Sequence, residues 1–449
     1  MKRHLIPESA LPFEDVPLSL LEHVALGPHR LLSLLQGTEG STVRPMSIRV
    51  LAPRLTKAEK ERFCIDDNDG LYDSLVDCSG RYLVSLSAYD AFTLFSVWDL
   101  GLSGNTSIEP LARYLEPARQ KLYLGGFWPG HPESNSYYLF STHKSSLVTS
   151  LSIFVHQVRM IANPTISLFA KLDIPVATPY ILAQIFQIPH TSRLALQYDD
   201  DDENQHFWVW DFLNNTVAGL VAVDYKSSGK EMFLTYDDCI MVAHEGCVRI
   251  YNIPSLLPRN IVKDPTECKA TIIIAAPSKS PNSFFVGHYM AQILPSYFLE
   301  ITSSRLTFFQ VTGSNCSGEP QLPNKLPVAA GSVVVGDLAF WSRDQRFGPL
   351  ERCEDSLILP SFNLAGSNSG DLLLFSVDVN EISEGVGGPK LRKTIFSNPL
   401  SRQDIMRRQF CPLLGRICLH TRQRISYSRS TRAIYVLDYL GSPNPDNHL

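Results

Sequence analysis

Five carboxylates in a row, Asp199, Asp200, Asp201, Asp202 and Glu203, form the densest group of reactive side chains in the chain. Like charges packed into one turn repel each other unless they are solvated, hold a cation or face a basic partner. The D-x-D-x-D-G spacing of a calcium loop is absent, so a solvated turn or a contact for a basic protein partner is expected. The 12 histidines are dispersed. His143, His156, His190, His206, His244 and His288 fall in predicted strands or turns without metal-ligand spacing, and H-E-x-x-H is absent. The segment Gly366-Ser367-Asn368-Ser369-Gly370 departs from G-x-S-x-G and lies between two predicted strands, which makes it a turn. Neither Gly-rich phosphate loop occurs. No enzyme, no metal site and no cofactor is therefore expected, although distant segments of a fold can still converge on one site.

The nine cysteines, at 64, 78, 239, 247, 268, 316, 353, 411 and 418, include no C-x-x-C pair and suggest no disulfide framework. They read as buried or partly buried thiols in a reducing compartment. A net charge of -5 argues against nucleic acid and anionic membranes as partners. With 44% hydrophobic and 10% aromatic residues, the chain has material for a large core. Its start, with Pro7, Glu8 and Pro12 close behind Met1-Lys2-Arg3-His4, lacks the apolar stretch of a secretory signal. Apolar runs such as 270–277 are far shorter than the ~20 residues of a membrane span. The expectation is a soluble cytoplasmic protein, with the nucleus also open to it, in which the N-x-S/T triplets at Asn105, Asn214 and Asn315 are chance matches.

The acidic turn sits between two stretches with period-two apolar patterns, 194–198 and 207–212, which predicts an antiparallel hairpin. The second strand ends in Val209-Trp210-Asp211. A copy lies upstream, where 82–86 leads through a turn at 89–91 to Val97-Trp98-Asp99. Fainter versions end near Asn252, Gln310, Asp378 and Asp438. The intervals approach the ~40–45 residues of one propeller blade. The predicted fold is all-β, a closed β-propeller of about seven four-stranded blades, whose hydrophobic faces are buried only against neighbours. The first blade includes the turn Asp77-Cys78-Ser79-Gly80. The next six are read as 121–157, 165–212, 216–253, 270–311, 332–379 and 391–440, with junctions at Ile253-Pro254, 313–327 and 385–389. Asp77, Gly80, Trp98, Asp99, Trp210, Asp211 and Asp438 carry the repeat signature, and Trp98 and Trp210 should hold equivalent places.

Residues 1–40 read as a short helical extension, 41–440 as the propeller and 441–449 as a tail. Helical spacing over 16–26 and 29–36 predicts two short helices, either a docking element or a lead-in packed on the ring. Residues 56–63 are charged and read as a loop or helical turn. Ser47 to Leu51 is expected to complete the blade that contains 434–438, leaving residues 1–35 dispensable for folding.

Val76-Asp77-Cys78-Ser79-Gly80-Arg81-Tyr82-Leu83 is similar to the S-x-D-G-R-x-L segment of WD-repeat proteins, and Val97-Trp98-Asp99 matches their terminal dipeptide. With Tyr236 to Val242 and Val248 to Ile253, most of residues 70–440 resembles the degenerate propellers that follow an F-box in many fungal proteins. Most blades lack the Gly-His and Trp-Asp signatures, and only Leu11-Pro12-Phe13-Glu14 is similar to the opening of an F-box. The resemblance implies a protein-interaction scaffold, the substrate-recognition propeller of a ubiquitin-ligase receptor, with a ligase adaptor as a further implied partner. The alternative is an enzyme with a central-channel site.

Overall fold

The structure, a computed structural model, describes residues 16–37, 42–51, 55–63, 71–77, 79–89, 92–102, 109–116, 122–130, 136–143, 150–160, 163–175, 184–188, 191–200, 202–226, 232–235, 239–244, 247–261, 264–275, 284–287, 296–302, 305–313, 325–334, 346–347, 350–353, 355–362, 371–384, 390–400, 405–424 and 430–440. Leu11 to Glu14, Cys78, Asp201, Tyr236 to Asp238, Gly366 to Gly370 and the tail 441–449 lie outside the described residues.

Seven antiparallel meanders follow one another along the chain. Blade 1 runs Leu71–Val76, Tyr82–Ala88, Thr93–Asp99, Ala112–Glu116, and blade 2 runs Leu122–Pro129, Ser136–His143, Ser150–Arg159, Thr165–Pro175. Blade 3 runs Gln184–Gln187, Arg193–Asp199, Asn204–Asp211, Thr216–Lys226, and blade 4 runs Met232–Thr235, Cys239–His244, Cys247–Asn252, Ile272–Ala275. Blade 5 runs Phe284–Gly287, Ser296–Ile301, Arg305–Gly313, Lys325–Val334. In blade 6 the short strands Arg346–Phe347 and Glu351–Cys353 share the first place, before Ser356–Phe362, Leu372–Asp378 and Arg392–Phe396. Blade 7 takes Ile405–Cys411, Arg416–Arg424 and Ser430–Asp438, and its fourth strand is Ser47–Leu51.

Side chains alternate across each strand, so a blade can feed two cores at once. Leu194 and Leu196 pack against blade 2, whereas Ala195, between them, packs against blade 4. The second strands are accordingly almost wholly buried, as in Tyr82–Ala88. One apolar core lies at each blade junction, from blades 1 and 2 round to blades 7 and 1. The last of these joins Leu51, Cys418, Ile434 and Val436 to Leu83, Trp98 and Leu100, so the ring is closed. First strands of neighbouring blades lie against one another, which makes the fourth strand outermost.

The sequence-derived blade limits are displaced by one strand. Thr165–Pro175, Thr216–Lys226, Ile272–Ala275 and Arg392–Phe396 end the preceding blades rather than opening the next, and Lys325–Val334 belongs to blade 5. The expected junctions at 253–254, 313–327 and 385–389 are connections between the third and fourth strands of blades 4, 5 and 6. The reason is physical. The signature ends the third strand, and the outermost strand beyond it is half-solvated and carries a weaker apolar pattern.

The two N-terminal helices, α1 (Leu18–Ala25) and α2 (Gly27–Gly37), pack on the ring. Val24 joins Leu102, Cys411, Leu413 and Leu414, while Leu31, Leu32 and Leu35 enter the core between blades 6 and 7. Gly27 lies so close to the Leu413 carbonyl that a Cβ would stand 2.1 Å from its oxygen. The helices are thus packed on the ring, as a lead-in would be, and place Val24, Leu31, Leu32 and Leu35 in its cores. From α2 the chain lays Thr42–Val43 along the edge of blade 6 before closing blade 7. Residues 57–63 form a helix, α3, rather than a loop. A reciprocal cap starts it, with Thr56 N–H donating to Glu59 at 2.6 Å and Glu59 N–H to Thr56 Oγ1 at 3.2 Å.

Candidate interaction surfaces

The signature residues occupy matching places. Trp98 lies opposite Leu83 and Trp210 opposite Leu194, each one residue before the Asp that ends the third strand. Both indoles face the preceding blade. Trp98 Nε1 donates to Ser85 Oγ at 3.0 Å. At the place of Ser85, blade 3 carries Leu196, and Trp210 Nε1 has no hydrogen-bond partner among the described residues.

The terminal aspartates organise the ends of their strands. Asp99 receives Arg81 through Nε at 3.0 Å and Nη2 at 2.8 Å, and also the Gly101 N–H. Asp211 accepts from Ser192 Oγ and from the Leu213 and Asn214 N–H groups, closing an Asx-type turn. Burial works to raise the Asp211 carboxyl, but those bonds outweigh it and hold it below the usual range. Asp77 accepts from Ser79 Oγ, Tyr137 OH and Tyr82 N–H. Its complete burial nevertheless pushes its pKa up. Gly80, at φ +73°, completes that turn, where a Cβ would meet Cys411 Sγ.

Asp438 does something else. Arg416 Nε donates to its Oδ1 at 2.6 Å and Arg49 Nη2 to its Oδ2 at 2.6 Å, with Ser47 Oγ also on Oδ2. The same arginines cross to blade 1, Arg416 to the carbonyls of Gly80 and Gly101 and Arg49 to that of Leu100. Burial opposes ionisation of Asp438, but the two guanidiniums prevail and lower its pKa. Neither arginine was singled out by the repeat pattern, because the residues they tie are distant in sequence.

The acidic turn is less of a charged patch than its composition suggests. Asp200 accepts from the Asp202 and Asn204 N–H groups, from Asn204 Nδ2, and lies 2.9 Å from His206 Nε2. Burial opposes its ionisation, and these bonds more than offset that, lowering its pKa. Gln197 Nε2 donates to Asp199 at 2.7 Å. Asp202 and Glu203 are exposed, and Glu203 adopts φ 62°. Asp200 thus builds the hairpin tip rather than facing solvent with Asp202 and Glu203.

Exposed apolar side chains also occur on the elements that border the outer groove between blades 2 and 3. Phe169 is 42% exposed, Leu213 54%, Leu257 45% and Ile261 59%. A β-bulge between Leu168 and Ala170 puts Phe169 there. Before the bulge Ile166 packs toward blade 1, and after it Leu172 and Ile174 pack toward blade 3. Phe169 lies 5.5 Å from the Tyr138 ring and 6.1 Å from Phe212 across the groove. The connection from the third to the fourth strand of blade 4 runs back over blade 3, pairing Leu257–Pro258 and Thr266–Cys268 with its outermost strand. From that strap Arg259 reaches blade 2, donating to the Lys171 carbonyl at 3.0 Å. Among the described residues no group of three or more His, Cys, Asp or Glu is placed to hold a metal, and no helix is long and apolar enough to cross a membrane.

No protein-family model and no curated protein matches the chain. Solved structures are similar over most of the chain at low identity. The WD40 domain of SCAP from fission yeast is 12% identical, with 88% of this chain and 91% of that one covered at a TM-score of 0.41. The N-terminal domain of Nup170 in a Chaetomium thermophilum complex with Nup53 is 10% identical, covering 94% and 68% at 0.46. A periplasmic gluconolactonase of Pseudomonas aeruginosa is 12% identical, covering 70% and 85% at 0.40. The chain's own strand pairing makes it a closed seven-bladed β-propeller.

Proposed function

We propose that this chain is a protein-interaction scaffold. The observation that carries this reading is the half-exposed Phe169, which meets Tyr138 and Phe212 across the groove between blades 2 and 3, beside the exposed Leu257 of the strap. Apolar side chains clustered at a junction cost solubility, and clusters of this kind mark contact sites for other macromolecules. The closed ring supplies the rigid frame that such a surface needs.

The ubiquitin-ligase form of this reading, in which the propeller recognises a substrate, rests on the resemblance at Leu11 to Glu14 and along the blades. The apolar faces of α1 and α2 are spent on the ring, which weighs against these helices forming an adaptor-binding module. The enzyme alternative requires polar groups converging on one mouth of the ring. Affinity purification of the full chain from its native cells, with quantitative mass spectrometry, tests these readings. Stoichiometric protein partners are expected. Recovery of the chain alone, with turnover of a small molecule, would replace the scaffold by the enzyme, and a cullin adaptor among the partners would favour the ligase form.

A further inference from the structure

We propose that α1 is an acid-released latch, which lifts off the ring when His23 takes up a proton while the blades stay closed. One contact and the charges around it make the device. His23 is buried on α1, and Arg30 of α2 stands with Nη1 2.5 Å from its Nδ1. A guanidinium can only donate, so this bond exists only while Nδ1 keeps its lone pair. Protonation turns the contact into two donors facing each other. The release is confined to α1 because its hold on the ring is light. Of its eight residues only His23 and Val24 are buried, and Leu18 is 71% exposed. By contrast, α2 is fixed by Leu31, Leu32 and Leu35 in the core between blades 6 and 7, and by the Leu35 carbonyl, which accepts from Thr394 Oγ1 at 3.1 Å. Lifting α1 uncovers Leu102, Leu413 and Leu414.

The surroundings set the sign. On the blade 7 side, Arg416 and Asp438 act on His23 in opposite directions. That carboxylate already serves two guanidiniums, Arg416 on Oδ1 and Arg49 on Oδ2. On the blade 1 side, Asp99 is taken by Arg81. Cys411, which packs under α1, is buried, and Glu22 and His29, the remaining titratable groups of the two helices, are exposed. Arg30, Arg49 and Arg416 therefore stand against the single carboxylate of Asp438, and a further cation on His23 is repelled. Burial, Arg30 and Arg416 together hold the ring's pKa at about 4 against its ordinary 6.5. A proton thus binds the released ring more tightly than the docked one, so docking of α1 is at full strength above about 6.5 and weakens as pH falls toward about 4.

Hydrogen exchange of the full chain at pH 7 and pH 4, expressed as protection factors, tests this. Protection of the α1 amides, such as Leu21 and Leu26, which bond to the Pro17 and Glu22 carbonyls, should fall about a hundredfold between the two. Amides of 416–424 and 430–438 should stay protected. His23→Gln keeps an acceptor for Arg30 and should abolish the loss. His23→Lys, a cation at both pH values, should release α1 already at pH 7 with blade 7 still protected. Amides of α1 that are equally protected at pH 7 and pH 4, that are unprotected at both, or that lose protection only together with blade 7, overturn the latch. An undiminished loss in His23→Gln does so as well.

Discussion

Arg416 holds Asp438 at 2.6 Å within blade 7 and, with the same guanidinium, the carbonyls of Gly80 and Gly101 at 2.6 and 2.9 Å in blade 1. The side chain is 1% exposed. This one residue therefore ties the last blade to the first, at the junction where an open ring would part. Replacing it with Met leaves a buried carboxylate short of one partner and two carbonyls without their donor. A loss of ~3–5 kcal/mol is expected in urea unfolding. A loss below ~1 kcal/mol would show that the pair contributes little to closure.

The N-terminal segment is expected to stabilise the ring in two stages. A chain begun at residue 40 loses Val24, Leu31 and Leu35 from their cores, and should melt well below the full chain. A chain begun at residue 55 also loses the strand that pairs Ser47 with Asp438 and Leu51 with Ile434, and should melt lower again. Equal melting temperatures for the two truncations would count against closure by this strand.

How much of this was legible from residue order depended on whether a feature is local. Val97-Trp98-Asp99 and Val209-Trp210-Asp211 announce strand ends because a hydrophobic run and its polar stop are contiguous, and they led to the correct fold and blade number. The closing strand was expected from the topology of a closed ring and not from its pattern, since in 47–51 the apolar Ile48 and Val50 are exposed while Ser47 and Arg49 turn inward to Asp438. The blade limits were not, because Thr216–Lys226 and Arg392–Phe396 follow the signature across variable connections. Arg49 and Arg416 were invisible: their partners lie 389 and 22 residues away along the chain. The groove was equally hidden, because Phe169, Phe212 and Leu257 come from a bulge, a turn and a strap that meet only in the folded ring.

The two signature tryptophans should respond differently to loss of a hydroxyl. Ser85→Ala leaves the buried Trp98 Nε1 without its acceptor and should cost ~1–3 kcal/mol. Leu196 already fills that place in blade 3, so no corresponding bond exists for Trp210. Wild-type stability in Ser85→Ala, measured by chemical denaturation, would mean that the Trp98 bond is not a determinant of blade 1.

Within the acidic turn, Asp200→Asn should cost ~1–2 kcal/mol, because it weakens the acceptor for Asn204 and His206. Asp202→Asn and Glu203→Gln should stay within ~0.5 kcal/mol. Thermal melts of the three single variants settle this, and equal effects would return Asp200 to the solvated charges.

Acid sensitivity should include a contribution from His23. Burial, then the nearby Arg30 and Arg416, push its pKa down from 6.5 to about 4, with Asp438 opposing. Arg30 Nη1 is 2.5 Å from His23 Nδ1, as suits a neutral ring accepting a bond. Between those two values the unfolded chain binds a proton that the folded chain does not, so stability falls as pH drops. The contribution is fully present above about 6.5, declines by at most ~1.4 kcal/mol per pH unit, and levels off near 4. His23→Gln keeps an acceptor for Arg30 and should remove that slope. An unchanged slope in the variant would assign it to other groups.

Hydrogen exchange in the full chain bears most directly on the claim that a single closed ring is locked by its N-terminal strand. Amides of residues 47–51 that bond to Ser430–Asp438 should be protected as strongly as those of the second and third strands of blade 7, and should open only with the whole ring. Exchange of residues 47–51 at the rate of unstructured chain, while 416–424 stays protected, would contradict closure and leave an open array of blades.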